Sequence, residues 1–221
     1  MSAQAPPAGA TREREWWLRT LAVFQSPRAV FEALRDDSDE QADARQEPVL
    51  ALVLLAGLAG VLTSPSTGSL LDDPERDGLV VAVVLFLSGG LYGLATYWIG
   101  GATLFAGARG AGSKGSYRRS RHTLAFAAAP IALSLFVVWP LQLAVYGGDL
   151  FRSGGSDSGS VGRVFFQVLE GGFFLWAVAL LALGIGVIHR WKLVRALGAL
   201  GLTLFVVIGI AALFAPWTAL T

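Results

Sequence analysis

The sequence contains no cysteine. That excludes disulfides, zinc–thiolate sites, iron–sulfur clusters and a thiol nucleophile. It has two histidines, His122 and His189. They fall in different segments, so neither HExxH nor a pair four residues apart on one helix is available to a metal. Charge is scarce as well. Asp, Glu, Lys and Arg make up 15% of the 221 residues, against about 25% in soluble domains. The formal net charge is +1, so the chain as a whole is not a polybasic nucleic-acid binder. No serine stands in a GxSxG context, and no pair of acids lies inside the long apolar runs. Intramembrane proteolysis, phosphoryl transfer and hydride transfer therefore lack their residues. These absences point to a non-enzymatic protein with no metal and no cofactor.

What the chain does have is hydrophobicity, at 54% of its residues, with most charges confined to residues 11–47 and a few short connections. Five apolar segments are expected to cross a membrane: 48–64, 79–107, 122–147, 164–188 and 193–217. A spanning helix needs about 20 apolar residues. By that measure the first is short, and the second is long enough to tilt, to kink at Gly89-Gly90 or to overhang the bilayer. Pro130 and Pro140 lie inside the third and are expected to kink it. Gly89 and Gly93 form GxxxG, continued by Gly100 and Gly101, while Gly184, Gly186, Gly198 and Gly201 flank the turn at 189–192. Small residues let helix backbones approach, within one chain or between copies in a homo-oligomer. The fold class is an all-α, polytopic membrane helix bundle of five transmembrane helices.

Lys and Arg in the connections orient such a bundle. Six arginines precede the first segment, the connection 65–78 has one, 108–121 has five basic residues, 148–163 has two, and 189–195 has three. Basic connections alternate with poor ones in the register that five helices require. The N-terminus is thus expected in the cytoplasm and the C-terminus outside, in a multi-pass protein of the cytoplasmic (inner) membrane.

Residues 1–12 read as a disordered tail. Their start, MSAQAPPAGA, lacks the basic and apolar regions of a secretory signal peptide, so the first span is expected to act as an uncleaved insertion signal. Residues 13–47 read as cytoplasmic or interfacial amphipathic helices and an acidic linker, leaving 48–221 as the membrane domain. Trp17, Leu21 and Phe24 recur at i, i+4 and i+7, one face of a helix. Ser26-Pro27 then starts a second short amphipathic helix, with Val30, Phe31 and Leu34 on its apolar face. Trp16, Trp17 and the nearby arginines suit the headgroup level of a bilayer, or a helix packed on the bundle ends. The stretch 36–47, DDSDEQADARQE, reads as a solvated, flexible linker.

Two segments carry candidate chemistry. In GARGAGSKGSYRRSRHT (107–123), Gly107 and Gly112 have the separation of a phosphate-binding loop, but the lysine stands one place late and Gly115 supplies no hydroxyl. Arg118, Arg119 and Arg121 remain candidates for anionic lipid headgroups or a protein partner, or serve only to set topology. Glu170 is the one acid inside a span. A buried membrane charge is costly and so marks a polar site: Glu170 either reaches the interface or pairs with Arg163, with Gln167 one turn from both, or belongs to a polar cavity with Gln167, Gln142 and the Pro-kinked third span.

FQSPRAVFEAL (24–34), TLAFAAAP (123–130, with Pro130) and LALGIGVIHRWKLVRALGALG (181–201, with His189 and Ala196) follow one another in an order that resembles the Yip family, named for Ypt/Rab-interacting membrane proteins, and its bacterial members in particular. The resemblance covers most of residues 20–215. It implies five transmembrane helices and a cytoplasmic N-terminus. Eukaryotic members are linked to Rab GTPases, vesicle traffic and membrane shaping; their N-terminal DLYGP element is absent here. The expected role is a membrane-organising, scaffold or partner-binding one, with a small-molecule or lipid transporter or channel around Glu170 as the alternative.

Overall fold

The computed structural model describes residues 8–64, 67, 77–147 and 161–218, and no strand occurs among them. Residues 1–7 of the expected tail and most of the connections 65–78 and 148–163 lie outside the described residues. The helices are α1 (Ala8–Ala22), α2 (Pro27–Ala33), α3 (Asp39–Ala44), α4 (Gln46–Leu62), α5 (Gly78–Ala95), a π-helical turn (Thr96–Gly100), α6 (Gly101–Gly110), α7 (Tyr117–Ala127), α8 (Ala129–Tyr146), α9 (Val161–His189) and α10 (Leu193–Thr218).

Four stretches are long and apolar enough to cross a membrane: Gly78–Gly110, Tyr117–Tyr146, Val161–His189 and Leu193–Ala211. The fifth expected span is α4, which is apolar but only 17 residues long. It rises about 25 Å, a little less than the roughly 30 Å of hydrocarbon in a bilayer. The long second stretch stays α-helical through Gly89-Gly90 and departs from α geometry at 96–100 instead. The third stretch is interrupted at Ala128, just before Pro130 in the first turn of α8, whereas α8 runs on through Pro140 to Tyr146.

The chain forms two compact units. The first comprises residues 1–49, 97–127 and 180–221. Its apolar centre is Leu104, Ile185, Ala196 and Ala199, with Leu124, Leu181, Trp191 and Leu200 against them. The N-terminal segment packs within this unit. Val30, Phe31 and Leu34, the apolar face of the second short helix, are buried, and the Phe31 ring occupies the space a side chain at Gly184 would need. On α1 the buried face is Trp16 and Thr20, continued by Val23 just past its end. Trp17 and Leu21 of the expected apolar face stay exposed. WWLRTLAVF carries two stripes about 100° apart, and the one led by Trp16, whose indole N–H donates to Gln41, takes the inside. Because α1 begins at Ala8, residues 8–12 are helix and not tail.

Two turns of this unit end in the same way. After α6, the Gly112 N–H reaches Arg109 O and the Ser113 N–H reaches Ala108 O, with Gly112 at φ 88°. After α9, the Arg190 N–H reaches Val187 O and the Trp191 N–H reaches Gly186 O, with Arg190 at φ 54°. Both are Schellman closures around a left-handed residue. Gly107, the other glycine of the apparent phosphate loop, lies inside α6 against the backbone of Ala199 and Thr203. Helix packing and helix termination account for both glycines.

The second unit comprises residues 50–96 and 128–179. Here α4 and α5 meet through glycine. A Cβ at Gly57 would lie 2.6 Å from the Gly93 backbone and against the Gly89 carbonyl. A Cβ at Gly89 would lie 2.9 Å from Leu58 Cα, and one at Gly93 would strike Val53 O. The GxxxG pair therefore seats α4. Close backbone approach of this kind is how helices associate without a hydrophobic driving force between them.

Candidate functional site: a buried charge cluster and a stacked arginine strip

The segment 36–47, expected as a solvated linker, is instead folded. Ser38 caps α3 by accepting from the Gln41 N–H at 3.4 Å, and Asp39 and Glu40 occupy its first turn, where carboxylates favour the helix dipole. The segment ends at Arg45, whose side chain is completely buried. Burying a guanidinium is costly unless it is paired and hydrogen-bonded, and Arg45 uses all three of its nitrogens. Nη2 lies 2.9 Å from Asp37 Oδ1, Nη1 donates to Asp36 O at 2.7 Å, and Nε donates to His122 Nδ1 at 2.6 Å. Burial pulls the Arg45 pKa down, and the Asp37 charge opposes it. His122 is buried and accepts at Nδ1, so it stands as the neutral tautomer protonated at Nε2. Its ring stacks with Tyr97 at 6.3 Å.

Asp37 receives from both sides. Arg118 Nε reaches Asp37 Oδ1 at 3.1 Å and its Nη1 reaches Asp39 Oδ1 at 2.7 Å; the Ser116 hydroxyl donates to Asp37 Oδ2, and Arg118 Nη2 to the Asp37 carbonyl. Burial alone would raise the Asp37 carboxyl. The Ser116 hydroxyl and the Arg118 and Arg119 charges outweigh it and hold the group below the usual carboxylate range. Arg119 Nη2 donates to Arg35 O at 2.8 Å, and Arg35 Nε donates to Val187 O at 3.1 Å. Trp16 completes the cluster. Its indole N–H donates to Gln41 at 3.0 Å, its ring contacts Phe126 at 5.7 Å, and the guanidinium groups of Arg19 and Arg45 lie over it. The cluster thus ties the N-terminal segment to α7 and to the end of α9.

The candidate residues of the sequence separate here. Trp16, expected either at the headgroup level or packed on the bundle ends, is an internal anchor, while its neighbour Trp17 is exposed together with Leu18 and Leu21. Arg118 and Arg119 are engaged within the protein. Arg121 has no carboxylate partner among the described residues. Its guanidinium lies 3.8 Å from the Trp98 ring centre, 4.7 Å from Tyr117 and 5.0 Å from Tyr97. The π-helical turn presents Tyr97 and Trp98 to it. Tyr117 donates its hydroxyl to the Trp98 carbonyl at 2.7 Å, which binds α7 to this turn. Gly101 matters for the same reason, since a Cβ there would strike the Arg121 stem.

Arg45, Asp37 and the caging rings were missed by sequence reasoning. The signal available was a lone arginine at the end of an acidic run, immediately before an apolar helix, which is a place for a buried ion pair as much as for a solvated charge.

In the second unit Gln142 Nε2 donates to Glu170 Oε1 at 2.9 Å, with Gln142 buried on α8 and Glu170 half-buried on α9. Arg163 and Gln167 lie exposed on α9, and no described hydrogen bond joins Gln167 to Glu170. Among the described residues no group of three His, Asp or Glu side chains is placed to hold a metal ion.

The Yip1 domain matches residues 21–215 of the chain. No curated protein and no solved structure matches it.

Proposed function

The chain belongs to the Yip1 domain family, and from that premise we propose that this multi-pass membrane protein is a non-enzymatic, membrane-organising scaffold of the cytoplasmic membrane. Its N-terminal segment is its working surface. The observation that carries this reading is the divided face of α1. Trp16, Thr20 and Val23 fasten the helix inward, while Trp17, Leu18 and Leu21 are 42%, 59% and 67% exposed. Three large apolar side chains uncovered on one helix, with Arg14 and Arg28 exposed nearby, fit a helix lying in the interface of a bilayer. The charge cluster supports the reading, because a firmly anchored arm carries its apolar face in a fixed position. Basic residues at 108–121 and 189–195 put this end of the protein on the cytoplasmic side.

Reconstitution of the full chain into liposomes tests this. Wild-type protein is expected to change vesicle size and shape with protein density, and L18E/L21E to insert normally and lose that effect. Equal remodelling by both proteins would remove the arm from the mechanism. The Gln142–Glu170 pair favours a second reading, passage of a small molecule or lipid through the bundle. That reading requires a flux in the same liposomes that Glu170→Gln abolishes and L18E/L21E leaves intact.

A further inference from the structure

The arginines of the basic segment are not equivalent, and the difference marks out a ligand site. Arg118 and Arg119 are bound to Asp37, Asp39 and the Arg35 carbonyl. Arg121 and Arg109 are not so bound: among the described residues neither has a carboxylate or carbonyl partner. Both lie against aromatic ring faces. Arg121 lies on Trp98 and Tyr117, the Tyr117 ring meets Phe105 at 6.0 Å, and Arg109 lies over Phe105 at 5.1 Å. The result is a strip of rings in which the Arg121 guanidinium lies among Trp98, Tyr117 and Tyr97 and the Arg109 guanidinium lies over Phe105.

Stacking fixes a guanidinium plane and leaves its N–H edges unused. In Arg121 the Nε is buried without a partner, so its outlet is the terminal Nη edge. An arginine oriented this way is pre-organised for a planar or tetrahedral oxyanion, which it binds through two parallel N–H bonds. The rings beside it suit the level where acyl chains meet headgroups; Trp98 is 50% exposed and Ile99 62% exposed on the same turn. The turn that aims Trp98 at Arg121 is π-helical, a geometry that concentrates at functional sites.

We propose that the strip Arg109–Phe105–Tyr117–Trp98–Arg121 binds an anionic phospholipid, with the Arg121 guanidinium on the phosphate, Trp98 and Tyr117 against the glycerol and upper acyl region, and Arg109 adding positive charge farther along the strip. The proposal rests on the reading that this end of the protein meets a membrane surface, and it adds a stoichiometric lipid to it. Free inorganic phosphate shares the headgroup's chemistry, but it leaves the aromatic strip unused.

Native mass spectrometry of the detergent-solubilised full chain tests the site. Protein is titrated with phosphatidylglycerol, with phosphatidylcholine, and with inorganic phosphate as competitor. Wild type is expected to retain one phosphatidylglycerol in preference to phosphatidylcholine, undisplaced by millimolar phosphate. Arg121→Gln and Arg109→Gln are each expected to weaken retention about fivefold, the contribution of one basic residue at a membrane surface. Arg121→Lys, which keeps the charge and loses the stacked plane, is expected to fall between. Lys192→Gln removes an exposed charge with no ring contact and is expected to retain lipid as wild type does. Equal losses from Lys192→Gln and Arg121→Gln would overturn the proposal in favour of diffuse attraction, and displacement by phosphate would overturn it in favour of a free anion. Arg109 is exposed, so its variant keeps the test valid if Arg121→Gln fails to fold. Remodelling lost in L18E/L21E with lipid retained in all the arginine variants would refute this site alone and leave the arm's role standing.

Discussion

Arg45 is the residue on which the N-terminal segment turns. It is wholly buried, and its three nitrogens reach an aspartate carboxylate, a backbone carbonyl and a histidine. Removing one partner of such a pair leaves a buried charge uncompensated, which costs about 3 kcal/mol or more. Asp37→Asn is therefore expected to lower the thermal unfolding midpoint of the detergent-solubilised protein by several degrees and to expose α1 to protease. Asp39→Asn should do neither, because its carboxylate is almost fully exposed and surface pairs contribute little. The pH dependence follows from the depressed Asp37 pKa. A carboxyl held low in the folded state contributes its stability above its unfolded pKa of about 3.9 and loses it as pH falls through the lower, folded value. The arm is expected to stay docked at neutral pH and to be released below about pH 4, read as increased cleavage between residues 12 and 35. Release at pH 6 would contradict the pairing. Of this, the residues alone carried only the lone arginine that ends the acidic run. DDSDEQADARQE has the composition of a solvated linker, and it is the arrival of Ser116 and Arg118, 79 and 81 positions away, together with Arg45 that turns its Asp37 inward.

The elements themselves were legible. Long runs without charge must bury their backbone polar groups in helices, so the spans at 164–188 and 193–217 differ by only a few residues from α9 and α10. The GxxxG of the second span was legible too; its partner Gly57 was not, because AGLAG in a short apolar run gives no direction. Packing now separates glycines that look alike in sequence. Gly57→Ala and Gly93→Ala would set a methyl against a facing backbone, and overpacking of this kind costs about 1–3 kcal/mol. Gly198 and Gly201 on α10 have nothing within 4 Å of an added Cβ, so alanine there is expected to be neutral or to stabilise by up to about 1 kcal/mol. Thermal unfolding of the four variants checks the contrast, and destabilisation by Gly198→Ala would reveal a packing partner on that face. Arg190 offers the reverse case. It holds φ 54°, a conformation that costs a non-glycine residue about 1 kcal/mol, so Arg190→Gly is expected to raise the unfolding midpoint slightly.

For the molecule as a whole, composition was sufficient to establish a membrane protein, and the order of three weak motifs was sufficient for the family. The helix periodicity of α1 was ambiguous. WWLRTLAVF reads most simply as a Trp17–Leu21–Phe24 face, but the buried side chains are Trp16, Thr20 and Val23, and Trp16 meets a partner for its indole N–H in Gln41, a tertiary fact. That packing leaves Trp17, Leu18 and Leu21 outside, and the central claim is that a bilayer surface covers them. The absence of cysteine makes the claim directly measurable, because every introduced thiol is unique. Spin labels at Leu18→Cys and Leu21→Cys in the full chain, reconstituted in liposomes, are compared with one at Lys114→Cys by power saturation against oxygen and a water-soluble nickel chelate. The account predicts high oxygen and low nickel accessibility at 18 and 21, and the opposite at 114. Nickel accessibility at 18 and 21 as high as at 114 would place that face in water and contradict it.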